Sequence, residues 1–240
     1  LKNMMNNAQK LLIVSLLIFL SSCYTAKKSD YFEKGKEYHY HALYIDQGDT
    51  LTSEKLILKP LGRPWLPQPW LQTAIRYIYH TDTSGYRNIE HPLSTVPDKT
   101  LDEKETTGAT LKEDEFYMHP PRDNQYGMLF YAAHPRIKKR SITDTTTSFT
   151  AGIGIPLMGA FWHHYTVSPR GDTIINSKSV NAWHLETDLE ADIQEEDEKE
   201  GIYKSTLDAV YTVEYGFVKV HYTFEDSTEI QFDFEKMVKL

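Results

Sequence analysis

Apolar and polar residues alternate along several segments of the chain. The clearest case is the C-terminal region, where positions 218–224 and 230–235 place an apolar side chain at every second position. Polar residues at 226–228 separate the two segments. A period of two is typical of a strand with one buried face, so this region predicts an antiparallel hairpin. Similar alternation at 75–79, 183–189 and 207–213 predicts further strands.

Turn residues separate several of these segments. Positions 46–49, which include Gly48, predict a hairpin turn, and so do positions 168–172, which include Pro169 and Gly171. After the first apolar run, no segment has a sustained helical period. The sequence therefore predicts an all-β fold with little helix, either an antiparallel β-sandwich or a strongly curved sheet.

Two segments depart from the alternation. Residues 94–115 are rich in threonine and charged side chains, which predicts a mobile loop within a single domain. Residues 186–200 contain nine acidic side chains against Lys199. Ile193 and Lys199 occupy positions where a calcium-binding EF-hand needs glycine and glutamate, so we interpret this segment as a solvated hairpin tip.

The N-terminal region has the pattern of a secretory signal. Residues 11–20 are apolar except for Ser15, and Lys2 and Lys10 precede them. A ten-residue helix spans about 15 Å, half of a hydrocarbon core of about 30 Å, so this run is too short to remain as a membrane span. Leu20, Ser21, Ser22 and Cys23 follow. This motif resembles the lipobox of bacterial lipoproteins.

The resemblance implies cleavage before Cys23 and acylation of that cysteine. It divides the chain into a signal peptide (1–22), a lipidated tether (23–32) and a β-rich domain (33–240). Several acyl chains on one residue anchor a protein stably, because each buried CH₂ contributes about 0.8 kcal/mol. Tyr24 follows the cysteine, where an inner-membrane lipoprotein would by analogy carry aspartate. We therefore expect an anchor in the outer membrane that faces the periplasm.

Composition excludes several functional classes. Cys23 is the only cysteine, so its acylation would leave no thiol for a disulfide, a nucleophile or a zinc ligand. The formal net charge of −8 becomes −10 when Lys2 and Lys10 leave with the signal peptide. This charge disfavours nucleic acid as a partner. No nucleotide-binding glycine motif and no nucleophile elbow is present, so we expect no cofactor.

Two residue pairs are candidates for a site. His39 and His41 share one face of a predicted strand and could ligate zinc if a third ligand were supplied, although a half-buried pair is the favoured interpretation. Trp65 and Trp70 lie in a proline-spaced segment, 60–70, that could present aromatic faces to a glycan or an extended peptide. Capping of the core is the alternative role for these tryptophans.

A short sequence similarity links two segments of the middle region. Residues 116–122 end in His-Pro-Pro-Arg, and residues 130–136 end in His-Pro-Arg. This similarity is too short to indicate a structural repeat. The element at 119–122, with the Tyr-Gly-Phe-Val at 215–218, resembles a group of Bacteroidota-type lipoproteins without a known activity.

These observations favour a membrane-anchored cell-envelope lipoprotein with a non-catalytic, β-rich interaction domain. Its expected partners are the membrane, through lipidated Cys23, and an envelope protein or glycan. A ligand-binding module for glycan, peptide or lipid, based on Trp65 and Trp70, is the alternative. A metal-dependent hydrolase based on His39 and His41 is a third interpretation.

Overall fold

The computed structural model describes residues 34–68, 72–80, 104–112, 114–155, 159–189 and 204–240. The described residues contain twelve strands and two short 3₁₀ helices. The first six strands are β1 (Lys36–Asp46), β2 (Asp49–Pro64), β3 (Thr73–His80), β4 (Lys104–Lys112), β5 (Glu115–Met118) and β6 (Arg136–Lys138). The other six are β7 (Thr147–Ile155), β8 (Gly159–Ile175), β9 (Lys178–Leu189), β10 (Ser205–Thr212), β11 (Gly216–Phe224) and β12 (Glu229–Lys239). The 3₁₀ helices are η1 (Asn124–Phe130) and η2 (Lys139–Ser141), and no described helix has the length and apolar character needed to cross a bilayer.

All twelve strands belong to one antiparallel sheet. Its spatial order is β6-β5-β4-β3-β2-β1-β12-β11-β10-β9-β8-β7, so each half of the chain is a meander of sequential neighbours. The two meanders join where β1 pairs with β12, for example at Tyr44 and Ile230. The first and last strands of the described residues therefore pair at the middle of the sheet.

The sheet is strongly curved. The Phe116 ring on β5 lies 5.4 Å from the Phe217 ring on β11, although five strands lie between β5 and β11 in the sheet. Near the two edge strands, the Lys138 ammonium lies 4.4 Å from the centre of the Phe149 ring. No ladder joins β6 to β7 within the described ranges. The all-β prediction is confirmed, and of its two arrangements the curved sheet is observed.

The strand pattern agrees with the alternation in sequence. The predicted C-terminal hairpin is β11 and β12, and the segments at 75–79, 183–189 and 207–213 lie on or overlap β3, β9 and β10. Gln47 and Gly48 form the predicted turn between β1 and β2, with φ values of 48° and 89°. Both are positive, as a two-residue turn between twisted strands requires. A bulge at Val218 turns Phe217 into the core, a detail that strict alternation missed.

The turn predicted at 168–172 is wrong. Strand β8 continues through this region and pairs with β9 on both sides of a bulge between Pro169 and Gly171. Gly171 takes a φ of 83° at this bulge. Glycine and proline mark bulges as well as turns, because one reaches the left-handed region and the other lacks a ladder donor. The chain reverses at Asn176 and Ser177 instead, whose φ values are both positive.

The loop predicted at 94–115 is also corrected. Residues 104–112 form β4, and β5 begins at Glu115, while 94–103 lie outside the described residues. The threonines that suggested a loop are β-branched and suit a strand. Gly108 of β4 lies so close to Trp65 and Gln72 that a Cβ at this position would approach Gln72 Oε1 to 1.8 Å. The glycine at position 108 therefore reflects close packing within the sheet.

The concave face of the sheet holds the core. Tyrosine is unusually common there, and Tyr38, Tyr77, Tyr165, Tyr211 and Tyr222 are each no more than 2% exposed. Residues 119–135, which we call the inner segment, connect β5 to β6 and cross this concave face. Within it, the Tyr126 ring packs against both Tyr79 and Phe232, which lie on β3 and β12. The inner segment therefore fills the concavity.

Candidate functional site

The two His-Pro-Arg elements meet inside the sheet. His119 begins the inner segment and His134 lies near its end, and their ring centres are 4.8 Å apart. The Tyr117 hydroxyl lies 2.7 Å from His134 Nδ1 and 3.3 Å from His119 Nε2. Because a hydroxyl has one proton and two acceptor lone pairs, Tyr117 can link both imidazoles. The sequence similarity between the two elements thus corresponds to a pair of adjacent buried histidines.

The arginine of each element contacts a carboxylate on a strand. Arg122 Nε lies 3.4 Å from Glu105 Oε1 on β4, and Arg136 Nε lies 3.5 Å from Glu115 Oε1 on β5. The Arg136 guanidinium also lies 4.5 Å from the centre of the Tyr117 ring. Each element therefore places its histidine in the interior and its arginine beside an acid of the adjacent sheet.

Glu105 is the main anchor of the inner segment. This carboxylate is 7% exposed. It accepts hydrogen bonds from the backbone amides of Arg122 and Asp123, at 2.7 and 3.3 Å, and from the Tyr79 hydroxyl at 2.8 Å. A buried carboxylate needs such partners, because desolvation of an unpaired charge costs on the order of several kcal/mol.

A second buried acid holds the middle of the segment. Glu54 of β2 is 4% exposed. Its Oε1 accepts hydrogen bonds from Gln125 Nε2 and the Tyr126 hydroxyl. Glu54 and Glu105 together fix η1 against the concave face.

Burial keeps the interior histidines neutral. Desolvation, with help from Arg122 and Arg136, lowers the pKa of His119 from 6.5 to about 3. Burial likewise lowers the pKa of His134 well below its usual value. His163 of β8 is 1% exposed, and burial followed by Arg136 lowers its pKa to about 4. A neighbouring cation disfavours a second positive charge, so both effects act in the same direction.

The protonation states limit the chemistry of this cluster. Near neutral pH a proton-donating imidazole should have a pKa close to the working pH, and these values lie far below it. Burial also raises the pKa of Tyr117 to about 12, so its hydroxyl stays protonated. The cluster is thus a network of neutral hydrogen-bonding groups whose arrangement positions the inner segment.

The predicted histidine pair lies on the opposite, convex face. His39 is 7% exposed, and His41 Nε2 lies 2.8 Å from Ser53 Oγ. Burial and then Lys55 lower the pKa of His39, whereas Glu37, whose Oε2 lies 3.6 Å from His39 Nε2, acts in the opposite direction. No third ligand joins the pair among the described residues.

The predicted tryptophan pair is only partly described. Trp65 is half-buried, its ring centre lies 5.3 Å from that of His119, and it covers Gly108. One face of Trp65 therefore packs against the sheet, as in the capping alternative. Trp70, Cys23 and the acidic residues 190–200 lie outside the described residues.

A different group of possible ligands occurs on the convex face. His184, Glu186 and Asp208 place one ligand atom each within 4.8 Å of one another, and this is the one such group in the described ranges. Sequence reasoning missed it because its members come from two strands. Sequence reasoning also missed Glu54 and Glu105. Both acids alternate with outward-facing residues along their strands, and this alternation is the signal that could have indicated their burial.

No protein-family model matches this chain, and comparison with curated proteins also finds no match.

Proposed function

We propose that this protein is a lipid-anchored component of the bacterial cell envelope whose β-domain serves as an interaction module. The observation that carries this proposal is the lipobox at Leu20–Cys23, which directly follows a short apolar run. Strand β1 begins at Lys36. The intervening 12 residues or so reach at most roughly 40 Å, which keeps the domain close to the membrane surface.

The inner segment occupies the concave face, which supports an interaction role for the outer surface. The inner segment covers the concave face, and its polar groups bind Glu54, Glu105 and Tyr117. A partner would therefore contact the convex face, the edge strands or the connections. A rigid sheet with an ordered core is a suitable support for such contacts, because loss of conformational entropy on binding is then small.

Labelling with a fatty-acid analogue tests the anchor. We expect the wild-type chain to incorporate the label and to remain with the membranes after a high-salt wash. Cys23→Ser should abolish incorporation, because serine has no thiol to acylate. Ser22→Ala is the matched control, since alanine is also small and should leave labelling intact. Equal labelling of the Cys23→Ser chain would refute the anchor.

Crosslinking in intact cells tests the interaction role. We expect the anchored wild-type protein to form a reproducible adduct with an envelope protein or a glycan. The adduct should be lost when substitutions change the contacted surface, whether the convex face, an edge strand or a connection, and the fold is retained. Absence of any adduct above background, with the anchor intact, would argue against an interaction module.

Glycan binding is a second candidate, favoured by a different tryptophan from those predicted. Trp162 of β8 is 51% exposed. Its ring lies against Gly152 of β7, where a Cβ would be 3.2 Å from Trp162 Cε3. An aromatic ring supported on one side and open on the other can stack on the apolar face of a sugar.

A comparison of two tryptophan variants tests this second candidate. We expect Trp162→Ala to abolish binding to a peptidoglycan-fragment and oligosaccharide panel. Trp65→Ala is the control, because Trp65 covers His119 and Gly108. An unchanged binding profile in Trp162→Ala would remove glycan recognition by this ring.

A further inference from the structure

The convex face brings a histidine and two carboxylates together on adjacent strands. His184 and Glu186 are two residues apart on β9, so their side chains project from the same face. Asp208 of β10 lies directly opposite Glu186 in the ladder. His184 Nε2 is 2.6 Å from Asp208 Oδ2 and 3.9 Å from Glu186 Oε1. The imidazole thus lies within reach of both acids.

The facing carboxylates favour a cation between them. Like charges directly opposite one another on neighbouring strands are destabilising. Neither Glu186 nor Asp208 forms an ion pair with lysine or arginine within the described part of the chain. His221 of β11 lies opposite Asp208 in the ladder, but its Nε2 contacts Glu229 Oε2 at 2.9 Å.

The geometry suits a small ion with nitrogen and oxygen ligands. In a tetrahedral zinc site with bonds of about 2.0–2.1 Å, ligand atoms lie roughly 3.4 Å apart. The observed separations of 2.6 and 3.9 Å lie on either side of that value. The third separation, between the two carboxylate oxygens, is no more than 4.8 Å, so all three ligand atoms lie within reach of one ion.

The position of the ligands favours a pre-organised site. Strands β9 and β10 pair over six residues, and both lie inside the sheet with neighbours on each side. The ring of His184 is partly exposed and the two acids more so, which leaves a path for an ion from solvent. Three protein ligands with an open position match accessible zinc sites rather than closed structural ones.

We propose that His184, Glu186 and Asp208 form a surface binding site for a late first-row divalent metal ion, of which Zn²⁺ is the representative. The ion would replace the hydrogen bond between His184 and Asp208 and would join β9 to β10 through side chains. Imidazole combined with carboxylates suits this class of metal better than Ca²⁺ or Mg²⁺, which prefer oxygen ligands alone.

Calorimetric titration with Zn²⁺ of the protein purified from membranes tests the site. The protein is purified in detergent without a polyhistidine tag and is dialysed against a chelator and then against buffer. We expect one Zn²⁺ per chain. His184→Gln and Asp208→Asn should each weaken binding by about tenfold or more, because each removes a direct ligand.

His41→Gln is the matched control, since His41 lies on the same face and contacts Ser53 rather than two acids. It should leave Zn²⁺ affinity unchanged. Titration with Co²⁺ gives a second readout, and we expect visible d–d absorption in the wild type and in His41→Gln but not in His184→Gln. Failure of the wild type to bind stoichiometric Zn²⁺, or an equal loss in His41→Gln, would overturn the proposal. Thermal unfolding without metal confirms that each variant is folded.

Discussion

Histidines lie on both faces of the sheet, and the two groups differ in their surroundings. On the concave face, His119, His134 and His163 are buried among aromatic rings and near arginine side chains. On the convex face, His184 and His221 are partly exposed and contact the carboxylates of Asp208 and Glu229. The same side chain is therefore a neutral packing and hydrogen-bonding group inside, and at these two convex positions a partner of acids. The surroundings, not the residue type, decide which role a histidine has.

The carboxylates show the same division. Glu105 inside the sheet accepts two backbone amides and a tyrosine hydroxyl, whereas Glu214 outside forms an exposed ion pair with Lys178. Interior acids hold a chain segment in place through several hydrogen bonds. Exterior acids act mainly through charge, which water and salt screen.

The largest expected effect comes from removal of Glu105. Glu105→Ala would leave Arg122 Nε and three other hydrogen-bond donors without their acceptor, while Arg122 Nη2 would keep its bond to Thr107 Oγ1. Loss of one partner of a buried ion pair costs about 3–5 kcal/mol. Urea unfolding measures the change. Glu214→Ala is the control and should alter stability little, so similar losses in both variants would contradict the distinction between interior and exterior acids.

Acid should destabilise the protein through the interior histidines. In the unfolded chain His119 and His163 bind protons below their ordinary pKa of 6.5, but in the folded protein their pKa values are about 3 and 4. The unfolded state therefore binds more protons between these limits. The contribution of these neutral histidines to stability is fully present above pH 6.5. It is lost as the pH falls toward about 3, because protons then bind preferentially to the unfolded state.

His163→Phe isolates part of this pH dependence. Neither ring nitrogen of His163 has a hydrogen-bond partner among the described residues. Phenylalanine should therefore be tolerated at neutral pH and should flatten the loss of stability in acid. Urea unfolding midpoints across the pH range measure the slope. A slope as steep as in the wild type would show that His163 does not contribute.

Two tyrosine variants compare a linked hydroxyl with an unlinked one. Tyr117→Phe removes the hydroxyl next to His119 and His134, and leaves the buried His134 Nδ1 without its hydrogen-bond partner. We expect a loss of about 1–3 kcal/mol. The Tyr222 hydroxyl is buried without a partner in the described residues, so Tyr222→Phe should be neutral or stabilising. Equal losses in chemical denaturation would refute a linking role for Tyr117.

The smallest expected effect is on the convex face. His221 Nε2 lies 2.9 Å from Glu229 Oε2, and both side chains are partly exposed. His221→Gln should cost about 1 kcal/mol or less, because such pairs are hydrated and screened. The difference from wild type should shrink further in high salt. A loss as large as that of Glu105→Ala would show that the two faces do not differ as described.

Most of the fold class follows from local sequence patterns. Alternation identified strands at 75–79, 207–213 and the C-terminal hairpin, and the turn residues at 46–49 marked the turn at Gly48. The same local signals misled at Gly171, which lies in a bulge, and at Gly108, which lies in β4. A glycine indicates unusual backbone or close approach, but the sequence alone does not distinguish a turn from a bulge or a packed strand.

The candidate sites were much less predictable. His184 and Asp208 are 24 positions apart, Tyr126 and Glu54 are 72 apart, and Tyr40 and Phe217 are 177 apart. Such contacts depend on which strands become neighbours. The predicted pairs, His39 with His41 and Trp65 with Trp70, are close in sequence.

The sequence by itself determined the strand content, the inward and outward alternation, and the lipobox that predicts an anchor at Cys23. These properties depend on a few consecutive residues. Only the tertiary structure decided that one curved sheet encloses its own inner segment, that the two His-Pro-Arg elements meet, and that His184, Glu186 and Asp208 converge. The reason is physical: register and curvature place side chains from distant strands within a few ångströms, and no local pattern encodes that distance.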